Sequence, residues 1–156
     1  LASHQRAQAA WDNGWFDKEV APLEGHAFWD QTEDGLPPFL RSLRLQADAR
    51  WGELEALARG WVADDAADAS AWYSLGRAQL GQGHGTDGIA SLARASALDD
   101  DNPFFLTELA LAQHSLHDDG GYALSRARLA RIAPAALTGL DERLGACGTD
   151  TAGRRC

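Results

Sequence analysis

"AWYSLGRAQLGQGHGTDGIASLARASALDDDNP", residues 71–103, decides how the chain folds. Trp72, Leu75, Gly76 and Gln79 fall at helical spacing, and the glycine-rich run 81–85, "GQGHG", ends that helix and permits a tight turn. A second helix follows with Gly88, Leu92, Ala95 and Leu98 on one face and Ile89 on its flank, and its small residues allow close approach to the first. "DDDNP" stops it: Asn102 is placed to cap the next helix, and Pro103 suits that helix's first position, where no amide donor is needed.

This pattern resembles the tetratricopeptide repeat, a helical hairpin of about 34 residues with Trp-x2-Leu-Gly early, small or apolar positions in the second helix and a Pro near the end. The best unit runs from Asp68 or Ala69 to Asn102, with Leu92 where Phe is common, Gln79 in place of the usual Tyr and Asp100 in place of Pro. One period forward, Leu106, Leu109, Ala110 and Gln113 fall under Trp72, Leu75, Gly76 and Gln79. The second helix there fits better slipped by one residue, with Ala123, Ala127 and Ala130 as its small face after the "DDGG" turn. One period back, Leu54, Ala58 and Trp61 sit on "WGELEALARGWVADD", preceded by a helix in "PPFLRSLRLQADAR"; Trp61 is too large for its position in the usual pattern.

The expected fold is therefore an all-α, tetratricopeptide-like hairpin solenoid with at least five helices between Pro37 and Leu144. Residues 35–136 hold about three hairpins, residues 1–34 an N-terminal helix and Trp-rich extension, and residues 137–156 the end of a capping helix and a Cys-containing tail. A repeat cannot bury its apolar face alone, so terminal units need covers; "APAALTGLDERLGA" from Ala133 reads as one. Trp72 is expected to fill the space between the helices of the central hairpin, and Trp51 and Trp61 to pack between units. In the N-terminal extension one helix, Ala2 to Asp12, ends at Asn13-Gly14, and Pro22 rules out a further full repeat. "SHQRAQAAWDNGWFDKEVAPL", residues 3–23, is similar to a stretch of thiolases but includes none of that family's catalytic features, so no function is carried across.

Composition narrows the function. With 156 residues, 45% of them hydrophobic and 8% aromatic, the chain is long and apolar enough for a core. A net charge of −9, with Lys18 the only lysine, disfavours nucleic acid and anionic membrane surfaces as partners. No apolar run approaches the roughly 20 residues that cross a bilayer, so direct membrane insertion is not expected. The chain opens at Leu1 and contains no Met, so it is expected to be a processed chain or a piece of a longer one. Cys147 and Cys156 stand in a tail without helical period; a short disulfide loop or two free thiols are both open, and the disulfide would favour the periplasm over the cytoplasm.

Candidate chemistry is sparse. His114 and His117 with Asp118 and Asp119 could approach one metal, but the polar end of a helix explains the same residues, and no metal is expected. The acidic runs at 63–68 and 98–102 lack the alternating ligands of a calcium loop, and "GQGHG" neither follows a strand nor precedes Lys-Ser/Thr. No nucleophile stands in a triad context, so neither catalysis nor a cofactor is expected.

The binding expectation comes from the resemblance. In that family the first helix of each hairpin lines a groove, which implies inward positions at Tyr73, Arg77 and Leu80, then Phe104, Thr107, Leu111 and His114, with Tyr73, Arg77 and His114 open to solvent. The Lys and Asn clamp that some members use for a terminal carboxylate is absent, leaving a mixed groove suited to a peptide or helix of a protein partner. "ADASAWYSLGRAQLGQG" with "ASALDDDNP" is similar to repeats of bacterial cytochrome c maturation factors, which implies an assembly factor holding an apocytochrome segment. The contrasting expectation is a structural subunit of a larger complex. In that reading Trp11, Trp15 and Trp29 form an exposed docking patch rather than a core under the N-terminal segment.

Overall fold

A computed structural model describes residues 36–146, in which seven α-helices follow one another: α1 (Pro38–Ala47), α2 (Trp51–Asp64), α3 (Ala69–Gly81), α4 (Gly85–Leu98), α5 (Pro103–Ser115), α6 (Asp119–Ile132) and α7 (Ala136–Ala146). No strand occurs among the described residues. The pairs α1/α2, α3/α4 and α5/α6 form three hairpins, and α7 packs on α5 and α6. Starts and ends recur every 34 residues from α2 to α4 to α6 and from α3 to α5, and α1 ends 34 residues before α3. Pro37 and Pro38 delay the start of α1.

Local chemistry enforces that period. Each hairpin turn has one residue with positive φ, at Ala49 (53°), Gly83 (82°) and His117 (58°). Around each, two amides close the first helix in the same way: Ala49 and Arg50 donate to Gln46 and Leu45, Gly83 and His84 to Leu80 and Gln79, His117 and Asp118 to His114 and Gln113. This is the left-handed C-terminal closure that satisfies orphan carbonyls and favours glycine, which only the central hairpin has. Side-chain caps start the next elements: Asp68 accepts from the Ser70 amide at 2.9 Å, Asn102 from Phe104 at 2.9 Å and Asp118 from Gly121 at 3.0 Å.

Within the hairpins, small residues set the spacing. A methyl group at Gly88 would lie 2.6 Å from Leu80 Cγ and 3.1 Å from the Gly76 carbonyl oxygen, so α3 and α4 touch through backbone. Gln79, which departs from the aromatic pattern, has a defined partner: Ser91 Oγ donates to its Oε1 at 2.6 Å, and both side chains are buried. One period on, Ser125 donates to Gln113 at 2.7 Å in the same way. One period back the positions hold Leu45 and Leu57, which pack with Leu54, Ala78 and Trp51. A hydrogen-bonded pair thus replaces an apolar one at a fixed place in the repeat.

Three expectations are corrected. The second helix of the third unit is not slipped: Ser125 and Leu129 are its buried residues, one period after Ser91 and Ala95, while Ala123 and Ala127 are exposed. Trp61 is accommodated because its ring packs on α1 while its Nε1 donates to Asp68 at 3.0 Å. Trp72 is only half-buried rather than enclosed in the central hairpin: it packs at the margin of the cluster that holds Leu92 and Ala95, lines an open cleft with Arg59 and Val62, and its Nε1 donates to the Ala66 carbonyl at 2.9 Å. At the other end Leu140 of α7 is fully buried, one period after Leu106, so α7 packs in the place of a fourth first helix.

Candidate peptide groove

The first helices α1, α3, α5 and α7 align, and the expected groove positions distribute unequally along them. Tyr73 on α3 meets two rings of α5, Phe104 at 5.2 Å and Phe105 at 5.7 Å, and is only 5% exposed. The expectation that Tyr73 is open to solvent is therefore corrected: a step of one period brings two adjacent aromatics against it. Burial pushes its hydroxyl well above the ordinary tyrosine range, and the Glu108 carboxylate adds to the shift.

The other expected positions keep partial exposure. Arg77 leans toward the first hairpin, its guanidinium 6.0 Å from the centre of the Trp51 ring. Leu80 lies over Gly88 of α4, so it closes the hairpin as well as edging the groove. Thr107 donates to the Pro103 carbonyl at 2.7 Å, a bond within its own helix, and Leu111 packs at the margin of the core. His114 meets the Tyr122 ring edge-on at 5.3 Å. His117, considered with it as a metal ligand, instead makes the turn. Among the described residues no group of three or more His, Cys, Asp or Glu side chains is placed to hold a metal ion.

Sequence reasoning missed the groove positions of the first hairpin. Shifting Ser70, Tyr73, Arg77 and Leu80 back one period gives Leu36, Phe39, Leu43 and Gln46, and the first three are buried. It also missed the ion pair that closes the far end, where Arg143 of α7 reaches the nearly buried Glu108 of α5 at 2.7 Å. An open cleft of about 400 Å³ lies elsewhere, between the second helices, lined by Arg59, Val62, Trp72, Gln79 and Asp87. Trp11, Trp15, Trp29, Cys147 and Cys156 lie outside the described residues.

The same arrangement of helices occurs in two solved structures of MamA. One, a double mutant described as MamA RS-1 ArsTM, superposes with a TM-score of 0.57 at 23% identity over 87% of this chain and 71% of that one. The other, residues 41 to the end of MamA from Desulfovibrio magneticus RS-1, gives 0.54 at 21% identity over 88% and 71%. The fold is tetratricopeptide-like. No protein-family model matches the chain, and no curated protein matches it. These neighbours lend no support to the resemblance to cytochrome c maturation repeats or to thiolases. No helix among the described residues is long and apolar enough to cross a membrane.

Proposed function

We propose that the chain is a non-catalytic protein-interaction module that takes an extended peptide or short helix of a partner along the groove side of α1, α3 and α5. The observation that supports this reading is a pair of donors without acceptors. Arg77 Nε and Gln46 Nε2 are buried and make no hydrogen bond among the described residues, and both stand at groove positions of the repeat. A buried donor left unpaired costs about 1–3 kcal/mol, and an extended peptide supplies one carbonyl per residue to relieve it. Leu80, Leu111 and Phe104 add partly exposed apolar surface beside them. The sequence resemblance makes apocytochrome c segments the first peptides to try.

The test is fluorescence anisotropy of labelled peptides tiled from apocytochromes and from unrelated secreted proteins, against the full chain and a Leu80→Glu, Leu111→Glu variant. The expected result is a subset of peptides whose affinity falls at least about tenfold in the variant, measured at a temperature where its melting curve shows it still folded. Binding that is equal in both proteins would overturn the groove reading.

A further inference from the structure

We propose that Arg77 selects, among peptides that enter the groove, those carrying an aspartate or glutamate side chain for its guanidinium to pair with; this rests on reading the groove as the peptide site. The repeat register singles the residue out. One period before Arg77 the same place holds Leu43, and one period after it holds Leu111. A cation thus replaces leucine in the middle unit alone, on a helix, α3, that has a first helix on either side.

That cation lacks an anion. Arg50, Arg59, Arg126, Arg128 and Arg143 pair with Glu53, Glu55, Asp141, Asp100 and Glu108. In a chain of net charge −9, no carboxylate among the described residues pairs with Arg77. Arg94 and Arg131 share that lack, but both are exposed and solvated, whereas Arg77 is partly buried. A charge partly withdrawn from water gains more from an opposite charge than an exposed one does. Glu108, which with Arg77 acts on the Tyr73 hydroxyl, is already held by Arg143.

The guanidinium is also held in position. It lies 6.0 Å from the centre of the Trp51 ring, and that ring rests against Gly81, where a side chain would collide with it. A guanidinium over a ring keeps its edge free, and the edge carries the fork of N–H donors that matches a carboxylate. Here Nε is buried without an acceptor, while the two terminal amino groups make no hydrogen bond among the described residues and are not buried. The outer end of the fork is open to a ligand. Its place on the middle helix favours a side-chain carboxylate over a chain end, because a peptide crossing the groove passes Arg77 and continues toward α5. Packed helices lie about 8–10 Å apart and an extended chain advances about 3.3 Å per residue, so an apolar residue roughly three positions from the acid meets Leu111. The overall negative charge does not forbid this, since screening at physiological salt leaves a reach of about 8 Å.

The experiment uses the full chain and its Arg77→Gln variant. The probe is a library of short synthetic peptides, randomised at every position, acetylated and C-terminally amidated, passed over the immobilised chain and sequenced from the bound fraction. The expected result is enrichment of Asp or Glu with an apolar residue roughly three positions away. Resynthesised with the acid replaced by its amide, such a peptide should bind the parent at least about tenfold more weakly, and Arg77→Gln with less than about a twofold difference. No enrichment of acids, or an equal loss in both proteins, overturns the proposal. So does binding of free-acid peptides at least about tenfold tighter than their amidated forms, which would assign Arg77 to a chain end. If bound peptides lack acids yet lose affinity on Leu80→Glu, Leu111→Glu, the groove reading stands while this inference falls; if no peptide binds, both fall. A second measurement does not depend on the variant folding: in the parent chain with isotopically labelled arginine, the Arg77 guanidinium signals are followed by NMR. They are expected to shift with the acidic peptide and not with its amide form. Signals that move equally with both, or with neither, overturn the proposal.

Discussion

The first and third hairpins share one backbone and differ in what they do with it. Both close their first helix with the same two amide bonds around a left-handed residue, Ala49 in one and His117 in the other. Between their helices, however, the first pairs Leu45 with Leu57 where the third pairs Gln113 with Ser125. At the proposed groove positions the first places Phe39 and Leu43, buried, where the third places Thr107 and Leu111, partly exposed. The difference teaches that the 34-residue geometry is held by turns, caps and small residues. The side chains at groove positions are free to diverge, and with them the use of each stretch of groove.

The largest expected effect tests that contrast directly. Phe39→Ala should destabilise the chain by about 3–5 kcal/mol, as for a buried aromatic, while Thr107→Ala at the same place in the third hairpin should stay within about 1 kcal/mol. Urea unfolding of the two variants measures both, and similar losses would break the comparison. Next comes the point where the central hairpin is tightest. Gly88→Ala forces a methyl group onto the Gly76 carbonyl and Leu80, and should cost about 1–3 kcal/mol in the same assay. An unchanged midpoint would mean that α3 and α4 stand further apart.

The buried polar pair sharpens the comparison further. Gln113→Leu alone leaves the Ser125 hydroxyl buried without its acceptor and should cost about 1–3 kcal/mol. Adding Ser125→Ala rebuilds the apolar solution of the first hairpin and should recover most of that loss. A double-mutant cycle with no coupling would refute the pairing. In the turns, His117→Gly should raise stability by about 0.5–1 kcal/mol, because a left-handed position no longer strains a Cβ, and Gly83→Ala should lower it by a similar amount. Differential scanning calorimetry would register the pair as opposite shifts in Tm.

The smallest effect lies between the first and second hairpins. Glu55 accepts a hydrogen bond from Gln82 Nε2 at 2.8 Å and pairs with Arg59, which hold its carboxyl below the ordinary value of 4.5. A carboxyl depressed in the folded state stabilises it above the ordinary value, and that contribution disappears as pH falls through the depressed one. NMR titration should show Glu55 moving toward 4.5 in Gln82→Ala, and an unmoved titration would mean that this link between hairpins does not form in solution.

The hairpin pattern, the stops at 81–85 and 99–103, the Asn102 cap and the helix after Pro134 were all legible in the amino-acid sequence. Each rests on contacts within a few residues: helical periodicity, glycine's tolerance of left-handed backbone, a side-chain oxygen two residues from an amide. The positions proposed to line a groove were legible only as a register, since they follow from the period once one unit is recognised. What each position does was decided only by the tertiary structure. Tyr73 is buried because Phe104 and Phe105, about 30 residues away, fold against it. Gln79 in an aromatic's place reads as a departure until Ser91 meets it across the hairpin, and Ala123 and Ala127 look like a packing face until Ser125 and Leu129 take the core. Periodicity says which residues share a side of a helix; what covers that side is a long-range fact.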